Sequence, residues 1–340
     1  MKAAVYYSQK DICIEELPQP TIGEDDVLVE MKACGICGSD LMDWYLKDRA
    51  PLVLGHEPTG IVAEKGKNVK DFDVGDRVFV HHHVACLKCH YCLRGDYTLC
   101  QKFHETNIKP GGLAQYFRVP RANLEIDTLK LPATVSFEEG TLIEPVGCCL
   151  RALKKCNLQR GDSVVVMGAG STGLIHLMLS KILGAKKTIV SDFIDFRLDT
   201  AKRFGADLVI NPKREDFLTA VMTETEGMGV DVSVVTAPNI KAYEAGMKAC
   251  RKGGKLCVFA PTVPGEQIQV SPKDLFFNET QIIPSYSTSH VETKEALRLI
   301  ASGKLRAKDL ITHRFKLNDI SEAFSVALNS EKSLKVVVFN

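Results

Sequence analysis

The sequence lacks a dominant charge, a long apolar run and an internal repeat. Its 43 lysines and arginines nearly balance 42 aspartates and glutamates, and the net charge of +1 offers no field that attracts nucleic acid or an acidic membrane surface. No apolar run approaches the ~20 residues that cross a bilayer. The chain starts MKAAVYYSQK, without an apolar signal segment. We therefore expect a cytoplasmic protein whose partner is a small molecule, with no role for nucleic acid or membrane.

The length and the changing pattern of apolar residues predict two domains. Residues 1–145 hold short apolar segments separated by Gly, Pro and Asp, which is typical of an antiparallel β domain. From about residue 150, apolar runs alternate with helical patterns, which predicts parallel βαβ units in a sheet covered on both faces. After about residue 284 the alternation stops, so we expect the tail to belong to the first domain and the βαβ domain to be an insertion.

The strongest local signal is a group of four cysteines within fifteen residues, Cys86, Cys89, Cys92 and Cys100. Four thiolates at this spacing can surround one Zn²⁺ tetrahedrally, and a shell closed by four sulfurs is structural because it leaves no position for substrate. An iron–sulfur cluster and a pair of disulfides are the alternatives. Disulfides are disfavoured because a cytosolic protein keeps its thiols reduced. The spacing therefore predicts a structural zinc site.

A glycine-rich turn, GAGSTG, follows a predicted strand and precedes a predicted helix. Gly168 permits the tight turn, Gly170 lets the backbone approach a pyrophosphate, and Gly173 lets the helix pack on the strand. The helix N-terminus adds free N–H groups and partial positive charge for the phosphates. The turn therefore predicts a dinucleotide site.

Asp192 ends the next predicted strand, where its carboxylate can accept hydrogen bonds from the adenosine ribose. The same charge repels a 2′-phosphate, so NAD is favoured over NADP. Arg197 has two interpretations, a partner for a 2′-phosphate or an ordinary residue on a helix surface. The candidate cofactor-binding residues are Gly168, Gly170, Ser171, Thr172, Gly173, Asp192 and Arg197.

A second candidate metal site combines Cys37, His56, Glu57 and Glu144. Each residue alone has an ordinary explanation, because a lone cysteine is usually a small apolar filler and a lone glutamate is usually solvated. Together they offer ligand types that suit Zn²⁺, without a fourth thiolate to close the shell. An incomplete shell leaves room for water or a substrate oxygen. The set therefore predicts a metal that takes part in a reaction.

In this order, the motifs resemble those of the zinc-dependent medium-chain dehydrogenase/reductase family over essentially the whole chain. The matching stretches are Cys37-Gly38-Ser39-Asp40, Gly55-His56-Glu57, the four-cysteine run and GAGSTG. The resemblance implies an α/β plus β fold. Residues 1–147 and 285–340 would form a GroES-like β-barrel catalytic domain with both zinc sites, and residues 148–284 an inserted, doubly wound Rossmann domain that binds NAD.

The resemblance also implies an activity, the reversible oxidation of a secondary alcohol or polyol to a ketone with hydride transfer to NAD⁺. Two Zn²⁺ would be bound per chain. Cys37 and His56 would be direct ligands, and Glu57 and Glu144 would bind directly, by exchange or through water. One thiolate, one neutral imidazole and one carboxylate make the zinc site formally neutral, and a second carboxylate would make it anionic. We therefore expect at most one of the two glutamates to bind when substrate does.

Two neighbours of Cys37 would assist this reaction. By resemblance, Ser39 passes the alcohol proton toward solvent, while Asp40 hydrogen-bonds His56 and fixes its tautomer. A turn hydroxyl and a turn-capping carboxylate are the alternatives. The Leu142-Ile143-Glu144-Pro145 stretch resembles the sorbitol and polyol branch, with threonine dehydrogenases nearby.

The sequence also bears on the substrate and on the assembly. Trp44, Phe103 and Tyr286 are candidate pocket residues or core aromatics, and Ser285 stands where the polyol branch carries arginine, which puts sorbitol itself in doubt. A threonine 3-dehydrogenase, a simple alcohol dehydrogenase, a zinc-free quinone reductase and a non-enzymatic zinc-lobe interaction protein are the alternatives. Relatives form dimers or tetramers, and we expect a homotetramer. We assign five further histidines to packing and surface: His81, His82, His83, His90 and His104.

Overall fold

The computed structural model describes residues 1–328 and 331–340. The strands are β1 (Lys2–Ser8), β2 (Asp11–Glu16), β3 (Val27–Gly35), β4 (Leu52–Val53), β5 (Glu57–Lys65), β6 (Arg77–Val80), β7 (Tyr116–Val119), β8 (Thr128–Lys130), β9 (Ser163–Met167), β10 (Lys187–Ser191), β11 (Leu208–Ile210), β12 (Val230–Val235), β13 (Cys250–Val258), β14 (Gln281–Pro284), β15 (Ile311–Lys316) and β16 (Lys335–Phe339).

Helices occur along the whole described chain, and in the second half they connect most of the strands. They are α1 (Asp43–Leu46), α2 (His90–Leu93), α3 (Gln101–Glu105), α4 (Arg121–Asp127), α5 (Phe137–Gly140), α6 (Ile143–Lys155), α7 (Ser171–Ile182), α8 (Asp195–Arg203), α9 (Phe217–Glu224), α10 (Ile240–Ala249), α11 (Pro272–Asn278), α12 (His290–Ala301) and α13 (Ile320–Leu328). Within the described residues, no helix combines the length and the apolar character that crossing a membrane requires.

The chain forms two compact units. The first comprises residues 1–147 and 288–340, and the second comprises residues 148–287. The sequence-based division proposed 148–284 for the inserted segment, whereas the compact unit continues to Ser287. Each unit has its own apolar core.

The first unit is built from two sheets whose pairings are antiparallel, except that β15 pairs with β16 in parallel. A three-stranded sheet has the order β2-β1-β4, and a seven-stranded sheet has the order β15-β16-β3-β5-β6-β8, with β7 also paired to β3. Alternate residues of β3 (Val27, Val29 and Met31) enter the core, as the period of two in a strand requires. The C-terminal strand β16 pairs with β3 and places Val337 opposite Gly35. The end of the chain is therefore part of the sheet formed by its beginning.

The second unit is a six-stranded sheet in the order β11-β10-β9-β12-β13-β14. Every pairing in it is parallel, and its strands are apolar on both faces, as in Ser163–Met167. This is the doubly wound order, in which successive strands are added on one side of β9 up to β11 and on its other side from β12 onward. Ligands of such sheets bind beyond the carboxyl ends of the strands where the order switches sides, and the turn that begins at Gly168 follows β9 there.

Candidate metal centres and cofactor loop

The four-cysteine lobe brings its thiols together within the first unit. The sulfur atoms of Cys86, Cys89, Cys92 and Cys100 all lie within 4.8 Å of one another. Cys92 Sγ is 3.9 Å from Cys86 Sγ and 3.5 Å from Cys89 Sγ. A tetrahedral zinc with ~2.3 Å bonds separates its sulfurs by about 3.8 Å. The donor set therefore fits a closed, structural zinc site.

The backbone of the lobe prepares two of the thiols for a metal. The backbone N–H of Lys88 lowers the pKa of Cys86 to about 6, and that of Cys92 lowers the pKa of Cys89. Burial instead raises the pKa of Cys92 to about 12. Metals bind the thiolate form of cysteine. The lowered pKa values of Cys86 and Cys89 therefore favour metal binding, whereas Cys92 must lose its proton when the metal binds.

Phe103 lies in the apolar cluster beneath this lobe. Its side chain is 1% exposed and packs with Cys92 and Cys100. The rings of His81 and His83 approach it at centroid distances of 6.0 Å and 5.3 Å. The structure thus places Phe103 in the interior of the lobe, which is the core-packing alternative to a pocket wall.

The second candidate set is assembled by strand pairing in the first unit. Strand β3 ends at Gly35, directly before the turn that carries Cys37, and it pairs with β5 so that Gly35 lies opposite Glu57. This register brings the two motifs side by side. Ligand atoms of Cys37, His56 and Glu57 lie within 4.8 Å of one another. The three residues can therefore hold one metal ion, and their shell is incomplete.

The carboxylate of Asp40 contacts both Cys37 and His56. Its side chain is 3% exposed, and its Oδ2 accepts a hydrogen bond of 3.0 Å from the backbone N–H of Cys37. Its Oδ1 lies 3.3 Å from His56 Nδ1. Burial lowers the pKa of His56, but the charges of Asp40 and Cys37 outweigh burial and hold this pKa well above its usual value. With Nδ1 engaged, Nε2 is the nitrogen that remains for a metal.

A buried lysine that the sequence analysis missed completes the surroundings of Glu57. Lys335, the first residue of β16, forms an ion pair with Glu57 Oε2, and its Nζ donates to the carbonyl of Ile36 at 3.1 Å. Burial lowers the pKa of Lys335, but Glu57 and Cys37 outweigh burial and raise this pKa above its usual value. One signal was available: a lysine begins an otherwise apolar strand, KVVVF.

Glu144 lies close to this group but outside the 4.8 Å set of ligand atoms. It is 5% exposed and lies in the first turn of α6. Burial and the charge of Glu144 both raise the pKa of Glu57, whereas the charge of Lys335 lowers it. The net effect is a pKa above the usual value. Glu144 is therefore within electrostatic reach of Glu57, as a second carboxylate beside the candidate metal site.

The remaining candidates are more scattered. Ser39 is half-buried in a short 3-10 helix, Gly38–Leu41, and Trp44 is half-buried with its ring edge-on to Tyr45 at 5.9 Å. Tyr286 belongs to the second unit and is 48% exposed.

The histidine run beside the lobe is tied into the first unit. His81 is 1% exposed, and its Nδ1 lies 2.8 Å from Asp127, which also accepts a 2.6 Å hydrogen bond from Thr293. The ring of His82 lies 5.0 Å from that of His56. Among the described residues, neither His81 nor His82 belongs to a cluster of metal-ligand atoms.

Two glycines of the glycine-rich loop are required by the backbone of the fold, and a third faces open space. Gly168 has φ of +101°, which favours glycine, and a Cβ on Gly173 would lie 1.9 Å from the carbonyl oxygen of Gly168. A Cβ on Gly170 would meet nothing closer than 3.7 Å, where Arg197 Nη1 lies. The fold therefore requires glycine at the first and third positions, whereas open space at Gly170 fits the close approach of a pyrophosphate. Gly170 is the N-cap residue of α7 and provides no side-chain cap, which leaves N–H groups for phosphate.

Asp192 connects the end of β10 to this loop. Its carboxylate accepts hydrogen bonds from the backbone N–H of Ala169 at 2.7 Å and of Ile194 at 2.9 Å. Arg197 Nη1 lies 3.5 Å from the same carboxylate. The side chain of Asp192 thus supports the loop, and its charge is partly offset by Arg197.

Two segments of the chain match known families. Residues 23–133 match the alcohol dehydrogenase GroES-like domain, and residues 171–302 match the zinc-binding dehydrogenase family. Sorbitol dehydrogenase of Bacillus subtilis is 35% identical over 100% of this chain and 97% of that protein. The L-threonine 3-dehydrogenase of Pyrococcus horikoshii is 35% identical over 95% of this chain and 93% of that protein.

The fold of this chain is also similar to that of a solved structure. A zinc-binding dehydrogenase of Sinorhizobium meliloti 1021 bound to NADP has a TM-score of 0.89 and 28% identity, with 100% of this chain and 99% of that chain covered. The predicted fold class, a GroES-like domain with a Rossmann domain, is confirmed by these matches together with the sheet order.

Proposed function

The chain belongs to the family of zinc-containing medium-chain alcohol dehydrogenases, and we propose that it reversibly oxidises a secondary alcohol or polyol to a ketone with NAD⁺ as hydride acceptor. The observation that carries this proposal is the open ligand set of Cys37, His56 and Glu57 within 4.8 Å, which is separate from the closed four-cysteine set. A closed set is sufficient for structure, whereas an open one leaves a position for a substrate oxygen.

The residues of the chain have distinct roles in this proposal. When bound, zinc supplies a Lewis acid that lowers the pKa of an alcohol, and NAD⁺ supplies the hydride acceptor. Cys37 and His56 hold the metal, and Asp40 orients His56 through Nδ1. Ser39 takes the alcohol proton toward solvent. Either Glu57 or Glu144 completes the protein ligands, so that the site stays formally neutral with substrate present.

We assign NAD rather than NADP as the cofactor. The carboxylate of Asp192 at the end of β10 is 9% exposed, and a 2′-phosphate beside it would meet a like charge. Arg197 supports this assignment because its guanidinium is already directed at Asp192. The Sinorhizobium relative bound NADP, so the comparison of the two cofactors is informative. We expect kcat/KM with NAD⁺ to exceed that with NADP⁺ at least tenfold.

A substrate panel tests the proposed function. The purified protein is mixed with NAD⁺ and, in turn, sorbitol and other polyols, a cyclic polyol, L-threonine and simple secondary alcohols, while NADH is measured by absorbance. The relatives named sorbitol and threonine dehydrogenase make these classes the informative ones. We expect turnover with polyols or secondary alcohols. Turnover with L-threonine alone would favour the threonine dehydrogenase alternative, and no NADH from any class would reject the proposal. Sedimentation of the same sample tests the expected homotetramer.

A further inference from the structure

The first peptide unit of the glycine-rich loop is bound at both of its polar groups by side chains from neighbouring strands. Strand β9 lies between β10 and β12, and Gly168, Asp192 and Thr236 directly follow β9, β10 and β12. The hydroxyl of Thr236 donates a hydrogen bond of 2.9 Å to the carbonyl of Gly168. The N–H of the same peptide unit, which belongs to Ala169, donates at 2.7 Å to the carboxylate of Asp192. One threonine and one aspartate therefore hold this peptide unit between them.

The Gly168 carbonyl depends more on this hydroxyl than the preceding carbonyl does. The hydroxyl of Thr236 also donates to the carbonyl of Met167 at 3.0 Å, so its single hydrogen is shared between two acceptors. The Met167 carbonyl, however, also accepts from the backbone N–H groups of Thr236 at 2.9 Å and Ala237 at 3.2 Å. Loss of the hydroxyl would leave these two backbone donors in place. The effect of removing it therefore falls on the Gly168 carbonyl.

The glycines of the loop explain why a side-chain contact is needed here. Gly168 has φ of +101°, and glycine has more backbone freedom to lose on folding than any other residue. A Cβ on Gly173 would lie 1.9 Å from the carbonyl oxygen of Gly168 and 3.2 Å from Thr236 Oγ1. The hydroxyl thus lies where the first turn of α7 packs against the loop. The orientation of the Gly168–Ala169 peptide unit determines how the chain enters this helix.

On the basis of the proposed function, we propose that Thr236 is a positioning residue for the dinucleotide cofactor. Its hydroxyl holds the Gly168–Ala169 peptide unit in one orientation before the cofactor binds, so that the N–H groups at the start of α7 are already placed for a pyrophosphate. Without the hydroxyl, the peptide unit adopts several orientations and cofactor binding must order it again. The apparent Kd then rises by the inverse of the fraction of molecules whose loop is ordered.

The test compares Thr236→Ser, which keeps the hydroxyl, with Thr236→Ala, which removes it. Both variants lack the γ-methyl group, so the pair differs in the hydroxyl alone. In a fluorescence titration with NADH, we expect Kd of the alanine variant to be about 3- to 10-fold above that of the serine variant, the range that one hydrogen bond allows. KM for NAD⁺ should rise in parallel, whereas kcat at saturating NAD⁺ should not fall, because bound cofactor restores the loop. Equal Kd values in the two folded variants would overturn the inference.

Thr225 offers a matched control pair, Thr225→Ser and Thr225→Ala. Its hydroxyl also donates to two backbone carbonyls, those of Val221 at 2.7 Å and Met222 at 3.4 Å, in the same unit but at the end of α9. Removing this hydroxyl should lower Tm and leave Kd for NADH unchanged. If Thr225→Ala weakens NADH binding as much as Thr236→Ala does, the effect is a general loss of stability and the positioning role is wrong.

Thr236→Cys keeps the test decisive if Thr236→Ala does not fold. A thiol is of similar size but only a weak donor, so this variant should bind NADH more weakly than Thr236→Ser, and equal affinity refutes the inference. The proposed function fails separately, because wild-type protein that binds NADH but oxidises no alcohol or polyol rejects the activity and leaves the role of Thr236 in cofactor binding standing.

Discussion

A methyl group at Gly170 should separate cofactor binding from folding. The Cβ of Gly170→Ala would meet nothing closer than 3.7 Å, and the backbone at this residue has φ of −68°, which alanine adopts freely. Alanine is a poorer N-cap than glycine, by about 0.5 kcal/mol. Reduced freedom of the unfolded chain offsets this by about 0.4–1 kcal/mol. We therefore expect the free energy of unfolding to change by less than about 0.5 kcal/mol.

Binding of NAD should respond much more strongly. The added methyl group would occupy the space beside the helix N-terminus that a pyrophosphate needs. Forcing a methyl group into an occupied space costs about 1–3 kcal/mol, which is a rise in Kd of roughly 5- to 150-fold.

Gly173→Ala is the matched control with the opposite pattern. Its Cβ would lie 1.9 Å from the carbonyl oxygen of Gly168, so the loop or the helix must move. At about 1–3 kcal/mol for this strain, Tm should fall by about 3–10 °C. Thermal unfolding and a fluorescence titration with NADH measure both quantities. If Gly170→Ala binds NADH as tightly as the wild type, or loses stability as Gly173→Ala does, the assignment of Gly170 is wrong.

Three further changes test other parts of the molecule. Cys89→Ser should lose one zinc and lower Tm or disrupt assembly, with turnover lost only as a consequence; a stable, assembled variant contradicts a structural lobe. Asp40→Asn should accelerate metal loss from the open site by about 10- to 100-fold in a chelator assay, because the carboxylate orients His56, and an unchanged rate rejects that role. Burial lowers the pKa of His176 to about 4, so the unfolded chain binds the extra proton below pH ~6.5 and stability falls as the pH drops from ~6.5 to ~4. His176→Gln should reduce that slope by about 1.4 kcal/mol per pH unit in denaturant titrations, and an equal slope in both proteins contradicts it.

Local patterns were sufficient to predict the fold class. Alternating strand and helix signals after about residue 150 predicted the parallel sheet, and the loss of that rhythm after about residue 284 predicted the return of the tail. The GAGSTG spacing also indicated that the fold itself needs glycine at Gly168 and Gly173, because both roles depend on backbone geometry within a few residues, whereas the role of Gly170 stays a prediction.

Long-range pairing limits what the sequence could show about the site. Lys335 reaches Glu57 only because β16 pairs with β3 and β3 with β5, and this register is absent from any local pattern. Phe103 illustrates a different limit, since an aromatic residue next to a cysteine cluster has the same sequence signature in a pocket wall as in a core.

Zinc content and turnover, measured on the same samples, test whether Cys37 and His56 hold a catalytic metal. We expect two zinc ions per wild-type chain, one in the four-cysteine lobe and one at Cys37 and His56. Cys37→Ser protein should fold, retain one zinc and produce no NADH from the substrate that the wild type oxidises. A folded Cys37→Ser protein that keeps two zinc ions or full activity would contradict the assignment of this set as the catalytic metal site.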